Sequence, residues 1–199
     1  HLIVNGVANS VTGCFNSTIA GSSIDLSGYG NTLIGSVSST SVGYRNILLG
    51  GYANTLSNGQ YSFVAAGSGN KANADFSITL GGLNNEVCGN VNNIIGGICN
   101  SVTGSNNSSL GGSSNSISGC NSSVLGGLSN EVCGSNSVIV NGNNNHVSAN
   151  CSSVVSGTSN IVFNDNSGIL AGCNNIISSD ESAILAGNGN AISSSDNSS

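Results

Sequence analysis

From Ser122 to Gly134 the chain reads SSVLGGLSNEVCG, and this stretch decides the fold because its pattern returns along the whole sequence. Two aliphatic residues precede a glycine pair, an asparagine follows three positions after the second glycine, and another aliphatic residue comes two positions later. One glycine per copy gives the series Gly6, Gly21, Gly35, Gly51, Gly67, Gly82, Gly97, Gly112, Gly127, Gly142, Gly157, Gly172 and Gly187. Every step from Gly67 onward is 15 residues, while steps of 14 and 16 occur before it. The chain reads as a single repeat domain over 1–199, with irregular copies over 1–66, regular ones over 67–192 and a tail over 193–199.

Two positions before the reference glycine the residue is apolar in every copy, from Val4 to Leu185. A second aliphatic column includes Val87, Val102, Ile117, Val132, Val147, Val162, Ile177 and Ile192. A 15-residue unit with two short β-branched segments is too short for a helix pair but fits two strands of about four residues joined by tight turns. The expected fold is all-β, a parallel β-solenoid or β-roll of about thirteen coils, on the order of 60 Å long at about 4.8 Å per coil. The asparagine column Asn85, Asn100, Asn115, Asn130, Asn145, Asn160, Asn175 and Asn190 then stacks at that spacing. Stacked amides can bond along the coils and satisfy turn backbone groups, a structural role.

Composition bounds the function. The 199 residues include 30 Gly, 34 Asn and 40 Ser, and charged residues are 5%, which could describe a flexible linker. The hydrophobic fraction of 37%, in evenly spaced Val, Ile and Leu pairs, argues for a folded core instead. With a net charge of −6 and Arg45 and Lys71 as the basic residues, nucleic acid is not an expected partner. No apolar run approaches the roughly 20 residues of a membrane helix, so no membrane insertion is expected. A chain opening on His1, nearly in step with its repeat, is expected to be a processed product or a segment of a longer protein.

The aliphatic doubles Ile94-Ile95, Val124-Leu125, Ile139-Val140, Val154-Val155, Ile169-Leu170 and Ile184-Leu185 carry a further consequence. Neighbours on a strand point to opposite faces, so one of the two columns becomes an outward apolar stripe. The alternative is a corner at which both are half-buried. A stripe of that length exceeds what soluble monomers leave bare, and the expected partner is a second copy of the chain, in a homo-oligomer or fibril. The other strand, as in Ser101-Val-Thr103 and Ser116-Ile-Ser118, is flanked by polar residues, which predicts a polar face.

The pattern from Ser122 to Gly134 resembles the YadA-like head domain of trimeric autotransporter adhesins, a left-handed parallel β-roll, and similar arrays occur in viral fibres and spikes. The resemblance covers nearly the whole chain and implies a trimer with an adhesive or spacer role at a cell or virion surface, meeting a host-cell surface or a glycan. The chain departs from the family in its period of 15 rather than about 14, in showing no stalk heptad or anchor segment within these 199 residues, and in its seven cysteines.

No catalytic constellation emerges from spacing, and neither an enzyme nor a cofactor is expected. Cys14, Cys88, Cys99, Cys120, Cys133, Cys151 and Cys173 form no CxxC pair, so they read as small fillers or free thiols, with one or two disulfides between neighbouring coils left open and zinc not expected. His1 and His146 read as isolated, and the acidic residues as solvated charges. Sequons at Asn16, Asn106, Asn107, Asn121, Asn150 and Asn197 fall in one turn of the repeat, from which glycans would project outward. The leading expectation is an extracellular, non-enzymatic adhesive or structural fibre. A filament-forming matrix protein, suggested by the lack of polar caps, is the alternative. Ice binding is a third reading, from Gly28-Tyr-Gly-Asn-Thr32, although regular threonine rows are missing.

Overall fold

The computed structural model describes residues 2–193. The chain is an all-β parallel solenoid of thirteen coils with two short strands per coil, and no helix occurs among the described residues. It forms two compact units, His1–Val102 and Thr103–Ser199.

In the first unit the strands alternate between two sheets. Leu2–Val7, Ser17–Ser22, Thr32–Ile34, Ile47–Leu49, Phe63–Ala65, Ile78–Leu80 and Asn93–Ile95 form sheet A, each paired in parallel with the one a coil earlier. Sheet B starts at Ser10–Val11 and ends at Ser101–Val102. The second unit repeats the plan, with sheet A strands from Ser108–Ser109 to Ala183–Ile184 and sheet B strands from Ser116–Ile117 to Ala191–Ile192.

Alternation along each strand fills the space between the sheets. In the first unit Leu33, Leu48, Val64 and Ile94 from sheet A face Leu26, Leu56, Ala72 and Val87 from sheet B, all buried. In the second, Val124, Ile139, Val154 and Ile169 face Ile117, Val132, Val147 and Val162. The aliphatic doubles are therefore split, inner member buried and outer member on the surface, and the corner arrangement does not occur.

Strand register corrects the repeat series at one point. Ile34, not Leu33, pairs with Ile19 and Leu49, so Ser36 and not Gly35 occupies the reference column. The early steps then are 15, 15, 15 and 16, and the one extra residue lies in sheet B, where Ser41 pairs with Leu56 but Gly43 with Gly59.

Two buried hydrogen-bond ladders line the corners between the sheets. At one, the backbone N–H of each asparagine donates to Oδ1 of the asparagine a coil earlier, as for Asn85 to Asn70, Asn100 to Asn85 and Asn70 to Asn54 at 3.0 Å in the first unit. In the second unit the chain of donors runs from Asn130 on Asn115 through Asn145 and Asn160 to Asn175 and Asn190, at 3.0–3.1 Å. From Asn115 to Asn175 the Nδ2 also reaches the carbonyl of the next coil's reference glycine, as Asn145 does to Gly157 at 3.0 Å. This contact explains the glycine column. A Cβ on Gly82, which has φ +82°, would stand 2.3 Å from Asn85 Nδ2 and 2.3 Å from Gly97 O. Where the column holds Ser36, the ladder residue is Ser39, whose shorter hydroxyl accepts from the Asn54 N–H at 3.2 Å.

The opposite corner carries a second ladder that the column reading did not reveal. Asn31 and Asn46 donate their N–H to Asn16 and Asn31 Oδ1 at 2.8 Å, and serines continue the role in Ser77 to Ser62 and Ser137 to Ser122, at 3.2 Å.

The core also holds buried hydroxyls without hydrogen-bond partners, at Thr18, Ser41, Thr79 and Ser109. A buried unpaired hydroxyl costs about 1–3 kcal/mol. Thr79→Val keeps the shape between Val64 and Ile94 and removes the polar atom. It is expected to raise stability by about 1 kcal/mol in urea unfolding, and a destabilised variant would contradict this account of the site.

Candidate functional site

The feature that distinguishes one surface from another is the outer side of sheet A. In the second unit its strands place Leu110, Leu125, Val140, Val155, Leu170 and Leu185 outward, one per coil, all exposed. The first unit exposes Val4, Ile34 and Ile95 in the same column, with Ile47 and Ile78 beside them. Where Gly168 follows Ser153 and precedes Ala183 in register, the missing side chain opens a cleft of about 270 Å³ bordered by Val155, Leu170 and Leu185.

Among the described residues charge is kept off this face. Asp25, Lys71, Glu86 and Glu131 lie in sheet B strands, and Arg45, Asp75, Asp165, Asp180 and Glu181 lie in the turns that leave sheet B. Not all of the acids are merely solvated, as the sequence suggested. Asp165 Oδ1 accepts from the Asn150 N–H at 2.7 Å and Asp180 Oδ1 from the Asp165 N–H at 3.0 Å, so they brace successive turns. Asp75 does the same for the Gln60 N–H at 2.8 Å.

The sequons separate into two groups. Asn16 and Asn107 are fully buried in the second ladder, where their Nδ2 donates to Gly28 O at 3.1 Å and Gly119 O at 2.6 Å. Their expected outward projection is therefore corrected: the amide that a glycan would occupy is inside the fold. Asn106 and Asn121, one position earlier in the turn at φ +59° and +54°, are exposed, as is Asn150. Asn197 lies outside the described residues, as does His1.

All seven cysteines are free thiols, Cys88 and Cys133 partly covered and the others exposed. Burial pushes the Cys88 thiol up, and Glu86 adds to the rise against an opposing pull from Lys71. Burial likewise raises Cys133, with the Ser118 hydrogen bond opposing and Glu131 reinforcing it. His146 is not isolated, contrary to the reading from sequence. Coil stacking puts it in register with Glu131, and its Nδ1 lies 3.0 Å from Glu131 Oε2.

Sequence columns also missed an aromatic run on the first unit. Phe15, Tyr29, Tyr44, Tyr61 and Phe76 follow one another at centroid separations of 5.2–5.7 Å, with Arg45 over the Tyr44 and Tyr61 rings. They occupy two adjacent columns, Tyr29 and Tyr44 at the ends of sheet B strands and Phe15, Tyr61 and Phe76 one position further into the turn, so no fixed spacing announces them. Successive rings lie face to face or edge to face, so the run acts as packing between coils.

No helix among the described residues is long and apolar enough to cross a membrane. No family model and no curated protein matches the chain. Among solved structures, the crystal structure of the polySia specific acetyltransferase NeuO aligns at 12% identity over 94% of this chain and 82% of that chain, with a TM-score of 0.18. A similarity of that size transfers neither fold nor activity.

Proposed function

We propose that this chain is a non-enzymatic structural or adhesive element of a cell or virion surface that assembles with copies of itself through sheet A. The observation that carries this reading is the segregation of the surface. Every coil of the second unit adds one aliphatic side chain to sheet A, and the described charged residues all lie on sheet B or in the turns that leave it. A second copy fits such a face best, because its own row repeats at the same coil spacing and brings no charge into the seam. Among the described residues the connections between strands are short. The resemblance of the repeat to YadA-like heads supports a trimer, an extracellular location and an adhesive role.

Light scattering on the purified chain tests the reading. Assembly predicts a mass that is a multiple of the single chain, with three copies favoured. A stable single chain at micromolar concentration overturns it.

A further inference from the structure

Sheet B carries a cluster unrelated to the apolar face. Glu131 and Cys133 are two apart on one strand edge, and His146 is the register partner of Glu131 in the next coil. Val132 and Val147 between them point into the core, so all three side chains project from the same outer surface. Glu131 Oε2 lies 3.0 Å from His146 Nδ1, Glu131 Oε1 lies 3.5 Å from Cys133 Sγ, and one ligand atom from each of the three falls within 4.8 Å of the others.

We propose that Glu131, Cys133 and His146 form a binding site for a divalent metal ion of the zinc class. Zinc binds thiolate sulfur at about 2.3 Å and imidazole nitrogen or carboxylate oxygen at about 2.0–2.2 Å. Ligand atoms around it therefore stand roughly 3–4 Å apart, and the two measured separations, each to a different Glu131 oxygen, fall in that range. The sulfur and nitrogen donors disfavour calcium and magnesium, which take oxygen. Binding breaks the Cys133 S–H bond, the proton passing to solvent as the sulfur–metal bond forms, and the Glu131–His146 contact is exchanged for a bond from each to the ion. The site faces outward, so water completes the coordination. The Phe163 ring stands edge-on to His146 at 6.3 Å between centroids and limits how far the imidazole can swing away.

The chain contains its own control. Residues 85–89 repeat the sequence NEVCG of residues 130–134, and Cys88 Sγ lies 3.9 Å from Glu86 Oε1. There, however, the next coil offers Ser101 in place of histidine, and the preceding coil places Lys71 beside Glu86. That copy lacks the third ligand and carries a repelling cation.

Cobalt(II) titration of the whole chain under a non-thiol reductant tests the proposal through the near-ultraviolet thiolate-to-cobalt absorption. One equivalent is expected to saturate the band, and zinc to abolish it by displacement. Cys133→Ser should remove it, His146→Gln should weaken binding by at least about tenfold, and Cys88→Ser should leave it unchanged. All three side chains are on the surface, and far-ultraviolet circular dichroism confirms that each variant folds. Absence of the band at millimolar cobalt, or a band that persists in Cys133→Ser and so reports an adventitious thiol, overturns the proposal.

Discussion

Asn145→Ala is expected to lower stability by about 3 kcal/mol in chemical unfolding, more than any exposed substitution of similar size. Asn145 Oδ1 accepts both the N–H and the Nδ2 of Asn160 at 3.1 Å, while its own Nδ2 donates to Asn130 Oδ1 at 3.1 Å and to Gly157 O at 3.0 Å. Truncation leaves the buried Asn160 N–H without its acceptor, at about 1–3 kcal/mol, and removes further bonds worth about 1 kcal/mol each. Neighbouring coils contact only each other, so the defect also weakens coupling along the second unit. Asn145→Ser should recover part of the loss, because Ser39 performs the acceptor role at the same corner. Asn145→Asp should cost more than alanine, since a buried carboxylate would face Asn130 Oδ1. A change in unfolding midpoint equivalent to less than about 0.5 kcal/mol for alanine would contradict a stabilising ladder.

The second large effect concerns assembly. In Leu125→Asp with Leu170→Asp, two carboxylates replace side chains in the proposed seam. Burying a leucine contributes about 1.5–3 kcal/mol, and desolvating an unpaired carboxylate costs several more. Each copy carries both changes, so the penalty multiplies with the number of copies. The variant is expected to sediment as a single chain at concentrations where the original assembles. Both leucines are outward neighbours of buried residues, Val124 and Ile169, so circular dichroism should be unchanged. Phe163→Asp on sheet B is the control and should leave the mass as it was. An assembled double variant would rule out sheet A as the contact.

Much of this architecture was legible because a stacked coil makes each requirement recur at one interval. The 15-residue period, the split of Val124 from Leu125 and the asparagine column follow from alternation and from the need to bond turn amides. The second ladder was hidden because asparagine and serine satisfy the same N–H there, as Asn46 does for Ser62 and Ser62 for Ser77, so the column looks mixed in a serine-rich chain. The slip at Gly35 has a related cause: the column needs room for the side chain three positions on, an amide in most coils and Ile24 beside Gly21, and beside the short Ser39 the glycine is free to become Ser36. The cluster of Glu131 with His146 carried a usable signal, a separation of one period, but treating histidine and glutamate as separate classes concealed it. The burial of Asn16 and Asn107 depended on which of two adjacent turn residues points inward, a difference of one position that the sequon itself does not encode.

Hydroxyl-radical footprinting read by mass spectrometry decides whether sheet A is the assembly seam. Leu170 on sheet A and Phe163 on sheet B are 52% and 51% exposed in the single chain, so they begin from equal accessibility. With each residue referenced to its own rate in the unfolded chain, the account predicts strong protection of Leu170, shared by Leu125, and little protection of Phe163. Equal protection of Leu170 and Phe163 would contradict a seam built on sheet A.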